Sequence, residues 1–246
     1  MMKVGRQEIA EIAAVVLALA VLAAIVFLPG SEPAAERPAH SQQVLVCIDS
    51  TESTDDVRDK YQMDLEKVVR QAAFRQDHLL AAACGANATG EVYWPVGRWF
   101  RATYSNDRFA KEELERQAEI VIDGNDEKEG IIDLLDIDSK ETTPVGEMLA
   151  VTARQCDGDG CQVYFFTDGE WADHLLRVKG GISRSERKRY RIYADKLGGL
   201  DGSTVNFIGV GLGTEIGEVA LDEAKSVAGE LIEGASGEIG YWKTRL

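Results

Sequence analysis

The residues able to do chemistry in this chain are oxygen donors, and they fall in three short clusters. The first is Asp49-Ser50-Thr51-Glu52-Ser53, the second Glu141-Thr142-Thr143-Pro144-Val145-Gly146, and the third Thr167-Asp168-Gly169-Glu170. Asp49, Thr51 and Ser53 alternate, so in an extended turn their three side-chain oxygens can face one way. With Thr143 and Asp168 they make two carboxylates and three hydroxyls. Such an all-oxygen set suits a hard cation, Mg²⁺ or Mn²⁺ with waters completing an octahedron, and Ca²⁺ as a further possibility. The same residue types also serve helix ends: Ser53 or Thr54 can cap a following helix, and Thr143 before Pro144 reads as an N-cap with proline at the first helical position. Capping and metal ligation are compatible.

The elements around these clusters place them. Residues 44–48 (VLVCI) form a short apolar run ending at Asp49, as a buried parallel strand does. Helical spacing follows over residues 53–75 through Val57, Tyr61, Leu65, Val68, Val69, Ala72 and Ala73. Residues 78–84 (HLLAAAC) read as a second strand, residues 92–104 as an aromatic strand or hairpin, and residues 108–122 as a charged helix. An acidic loop over residues 123–130 and a short helix over 131–137 come next, then a helix over 147–155. Residues 162–167 (QVYFFT) are a buried strand that runs into Asp168. A basic helix over 185–197, a strand over 204–209 and a helix over 218–232 complete the pattern. Strands alternating with helices predict an α/β fold, doubly wound around a mostly parallel sheet. In such sheets ligands bind beyond the carboxyl ends of the strands, where two of the three clusters fall.

The motif order D-x-T-x-S, T-P-x-G and T-D-G-E resembles a von Willebrand factor type A domain with its metal-ion-dependent adhesion site. The resemblance covers residues 43–246 by order of elements. It implies a Rossmann-like α/β fold in which Asp49, Thr51, Ser53, Thr143 and Asp168 hold one divalent cation, some through water. Thr51 stands where the family more often has serine, and the hydroxyl is kept. The resemblance also implies the partner: a protein whose acidic side chain fills an open coordination position. On this reading the chain binds and does not catalyse. A metal-dependent hydrolase using the same cation would need a general base, for which Glu52 or Glu170 is the available group. A scaffold role, with the metal only stabilising loops, is a third class.

Other patterns carry less. Asp49-x-Thr51 lacks the second aspartate of a D-x-D phosphatase pair. The segment starting at Asp123 begins like an EF-hand loop but has Lys128 where glycine is needed and Leu134 where the bidentate glutamate belongs. Gly209-Val-Gly211-Leu-Gly213 follows a strand but lacks the later glycine and the downstream acid of a dinucleotide fingerprint, and reads as a tight turn on the rim of the site. The basic run over residues 184–191 reads as a solvated helix face. Trp94 and Trp99 are expected in the core, and Trp171 beside the site. Asn87-Ala-Thr89 is a glycosylation sequon only in a eukaryotic secretory pathway.

The front of the chain is different. Residues 12–28 are seventeen residues without a polar side chain. As a helix, residues 9–28 would span about 30 Å, the thickness of a bilayer core. No A-x-A site follows, so an uncleaved single-pass transmembrane helix is expected rather than a signal peptide. The organisation predicted is a tail over residues 1–8, the membrane helix over 9–28, a proline-rich linker over 29–42 and the von Willebrand factor type A-like domain over 43–246. A slight basic excess ahead of the span places the N-terminus in the cytoplasm and the domain outside, periplasmic or at the cell surface. An oxidising compartment allows cysteines to pair. Cys156 and Cys161 bracket a tight turn, and spacing alone leaves their bonding open; Cys47 and Cys84 read as core thiols. The 246-residue chain has 27 Lys plus Arg against 42 Asp plus Glu, a net charge of −15. That balance excludes nucleic acid as the main partner.

Overall fold

The structure is a computed structural model. It describes residues 41–50, 54, 57–84, 94–125, 128–137, 145–156, 159–169, 183, 185, 188, 192, 199–213, 217–244 and 246. The chain divides between Ala39 and His40, and all of these residues belong to the second unit. The predicted membrane segment over residues 9–28 lies outside the described residues, as do Trp171, the sequon and most of the basic run. Among the described residues no helix is long and apolar enough to cross a membrane.

The elements in chain order are β1 (Gln43–Asp49), α1 (Arg58–Arg75), β2 (His78–Cys84), β3 (Val96–Trp99), α2 (Asp107–Asp123), a 3-10 helix (Ile132–Asp136), α3 (Val145–Gln155), β4 (Cys161–Phe166), β5 (Thr204–Ile208), α4 (Glu218–Gly234) and β6 (Glu238–Lys243). The strands form one sheet in the order β3-β2-β1-β4-β5-β6. β3 runs antiparallel to β2, and every other neighbouring pair is parallel. This is the α/β arrangement expected, with helices on both faces of a mostly parallel sheet.

The period-2 alternation of β1 explains the two faces. Val44, Val46 and Ile48 pack with Leu65, Val68 and Val69 of α1 and Leu114 and Val121 of α2. Leu45 and Cys47 face the other way, toward Met148 and Leu149 of α3 and Val227 and Leu231 of α4. Because β1 is covered on both sides, all seven of its residues are buried, which is why its sequence is a continuous apolar run and not an alternating one. The chain leaves α1 through Gln76, whose left-handed conformation (φ 57°) lets its backbone N–H reach the carbonyls of Ala72 and Ala73.

Three expectations change. α1 begins at Arg58 and not at residue 53, because Thr54 belongs to a tighter turn in which Val57 N–H bonds the Thr54 carbonyl. Trp99 is 37 % exposed on the short edge strand β3, stacked on His78 at 4.0 Å with Arg101 over its face, and is not a core residue. β6 had no counterpart in the sequence reading; it is a largely exposed edge strand.

Candidate metal centre

β1 and β4 lie side by side, with Ile48 in register with Phe166. The next residues, Asp49 on one strand and Thr167-Asp168 after the other, therefore emerge together at the carboxyl edge of the sheet. From β1 the chain winds outward one way to β2 and β3, and from β4 the other way to β5 and β6. The crevice at such a reversal is where open α/β sheets bind ligands. Asp49, Thr167 and Asp168 are each 0 % exposed.

The carboxyl edge is tied together by hydrogen bonds. Thr167 Oγ1 donates to Asp49 Oδ2 at 2.9 Å, fixing the first carboxylate from the neighbouring strand. The same oxygen accepts from Gly169 N at 3.2 Å. Thr54 Oγ1 donates to the Asp49 carbonyl at 3.0 Å, so Thr54 folds back on the strand end and does not cap α1. The first helical residue is preceded by Val57, with no side-chain cap. Gly211 N donates to the Asp168 carbonyl at 2.8 Å. The glycine run after β5 is thus a turn that braces the end of β4. Gly209 (φ +94°) presses its backbone on Tyr61, and a Cβ there would run into the ring.

Two side chains of α1 complete the surroundings. Tyr61 is 0 % exposed and tilts against Phe166 at 5.7 Å between ring centroids. Burial pushes its hydroxyl well above the usual phenol range, and the charges of Asp49 and Asp168 push it further while Arg58 opposes them. Arg58, 5 % exposed, donates from Nη1 to the carbonyls of Leu135 at 3.0 Å and Ile137 at 2.7 Å. It thereby pins the 3-10 helix immediately ahead of the segment that carries Thr143.

Of the five sequence-predicted ligands, the structure brings Asp49 and Asp168 to one edge; Thr51, Ser53 and Thr143 lie outside the described residues. Among the described residues no three His, Cys, Asp or Glu side chains converge. Two buried carboxyl groups at neighbouring strand ends must be hydrogen-bonded, neutral or balanced by charge, and Thr167 supplies one such bond. Hard oxygen donors in that setting fit Mg²⁺. Asp49, Thr51, Ser53, Thr143 and Asp168 would hold it, and the bound ion would supply an electrophilic centre for an anionic ligand. Neither the burial of Tyr61 against this edge nor the Thr167–Asp49 bond is visible in the sequence, where Tyr61 is one position in the apolar stripe of a helix.

Two disulfides flank the strands. Cys47 and Cys84 are bonded, with Cα atoms 5.5 Å apart, which corrects their reading as core thiols. Cys84 lies in register with Asp49, so the bridge joins β1 to β2 at the carboxyl edge. Cys156 and Cys161 are also bonded, with Cα atoms 5.8 Å apart, closing the turn between α3 and β4. Cys161 N donates to Ser203 Oγ at 3.0 Å beside it.

No family model matches this chain, and no curated protein matches it. Among solved structures the chain is similar to the human COPII-coat protein Sec24c, at 8% sequence identity and a TM-score of 0.41. The match covers 85% of this chain and 30% of that one, so the chain spans less than a third of the length of the structure it resembles.

Proposed function

We propose that this chain is a membrane-anchored binding module of the von Willebrand factor type A kind. It grips an acidic side chain of a protein partner through a divalent cation, Mg²⁺, held by Asp49, Thr51, Ser53, Thr143 and Asp168. The observation that carries this is the pair of fully buried aspartates at the carboxyl ends of adjacent parallel strands, at the reversal of strand order. Coordination, not turnover, is the chemistry: Asp49 and Asp168 supply charge, and the three hydroxyls leave the ion electrophilic enough to take an outside carboxylate. The two disulfides support a domain on the oxidising side of the membrane. Residues 9–28 would anchor it, with the N-terminus cytoplasmic.

The test is affinity capture from membranes in Mg²⁺ and in EDTA, with Asp49→Ala as control. Capture that requires Mg²⁺, and that Asp49→Ala abolishes together with Mg²⁺ uptake measured by calorimetry, is the expected result. Unchanged Mg²⁺ affinity in Asp49→Ala, with the far-UV circular dichroism of the native fold, would sink the assignment.

A further inference from the structure

We propose that Tyr61 belongs to the metal centre, its hydroxyl serving as the interior hydrogen-bond partner for the hydration shell of the cation between Asp49 and Asp168. The inference rests on the metal reading above and adds a residue to it.

The hydroxyl of Tyr61 is buried and makes no hydrogen bond. A phenylalanine would fill the same space without stranding a polar atom, so packing does not explain the choice of tyrosine. Nor can the group swing out to water. Its ring lies against Phe166 on one strand, and the backbone of Gly209 closes on the hydroxyl end, where an added Cβ would stand 2.9 Å from the oxygen. Phe166 is the residue before Thr167-Asp168, and Gly209 follows β5, so the ring is wedged between two strand ends of the candidate site. Its hydroxyl feels the charges of both Asp49 and Asp168. The missing partner must therefore be small, polar and located in that interior. A Mg²⁺ ion keeps several waters when protein carboxylates bind it, and such a water can both donate to and accept from a phenol. One occupant would then compensate the two carboxylates and satisfy the hydroxyl together.

The experiment compares the full-length chain with Tyr61→Phe by Mg²⁺ calorimetry, by melting in EDTA and in Mg²⁺, and by the near-ultraviolet tyrosine difference spectrum on adding Mg²⁺. Tyr61→Phe should bind Mg²⁺ about tenfold more weakly, the scale of one lost hydrogen bond. In EDTA it should melt at or above the wild-type temperature, because the stranded hydroxyl is gone. The Mg²⁺-induced difference band of the wild type should disappear. Wild-type Mg²⁺ affinity in Tyr61→Phe overturns the inference and leaves the metal reading standing. Lower melting of the variant in EDTA also overturns it, by making the hydroxyl structural. A wild-type chain that takes up no Mg²⁺ overturns the metal reading first and this inference with it.

Discussion

The two ends of the sheet each bury acidic groups and each carry a disulfide, yet they treat them differently. At the amino end stands Asp77, 1 % exposed, just before β2. Its Oδ1 accepts from Gln42 N at 2.9 Å, while His78 N bonds the Gln42 carbonyl and Phe100 N the Asp77 carbonyl. That aspartate is a latch: its bonds join the starts of β1 and β2 and the residue after β3, while its Oδ2 is buried without a hydrogen bond. At the carboxyl end two aspartates meet on adjacent strands, with a threonine hydroxyl steering one and a stranded phenol beside them. Two buried aspartates at neighbouring strand ends are the observation on which the proposed cation site rests.

The disulfides give the largest test of this contrast. Cys47–Cys84 closes a sequence separation of 37 and Cys156–Cys161 one of 5. On chain entropy alone, Cys47→Ala with Cys84→Ala should cost about 4 kcal/mol, and Cys156→Ala with Cys161→Ala about 2 kcal/mol. Guanidinium unfolding of the two double variants measures both. The carboxyl-end pair should also weaken Mg²⁺ binding, because it frees the strand end bearing Asp49. Equal Mg²⁺ affinity in the two double variants would break the contrast.

Next in size is Thr167→Val, which keeps the volume and removes the hydroxyl that donates to Asp49 Oδ2. A loss of about 1.5 kcal/mol is expected for a hydrogen bond to a charged acceptor. Mg²⁺ affinity should fall with it, since Asp49 loses its steering bond. Stability and affinity measured on the same variant separate this from a purely structural effect, in which only stability would move.

The smallest effect belongs to the amino end. Burial raises the Asp77 carboxyl above its usual value, with the Gln42 N–H and Arg75 pulling the other way. A raised carboxyl pKa favours the neutral form in the fold, so its contribution is present below the ordinary value and is lost as pH rises through the folded value. Asp77→Asn, neutral throughout and still able to accept from Gln42, should escape that decline. Relative to wild type it should gain stability as pH is raised from 4 to 7, followed by thermal melting, and leave Mg²⁺ binding untouched. A loss of Mg²⁺ binding there would erase the distinction between the two ends.

How far the sequence spoke follows the same physics. β1, β2, β4 and β5 were legible because each is covered on both faces or nearly so, and double burial leaves an unbroken apolar run. β6 was silent: Glu238–Lys243 is mostly exposed, and it is held in part by Asn206, whose Nδ2 bonds the Val163 carbonyl while its Oδ1 accepts from Tyr241 N. That bracket is a tertiary fact. The Cys47–Cys84 bond needed the register of two parallel strands, which no local pattern contains. Asp49 and Asp168 were legible as polar residues ending apolar strands. Tyr61 was not, because a phenol in a helix stripe looks like any other core aromatic.

The close approach of Gly209 to Tyr61 has an evolutionary corollary. With φ at +94° and the ring in the way, position 209 admits no side chain as long as tyrosine occupies position 61. Related chains should therefore keep glycine at 209 wherever tyrosine stands at 61. An alanine or serine at 209 would meet both the strain of that backbone conformation and the ring of residue 61.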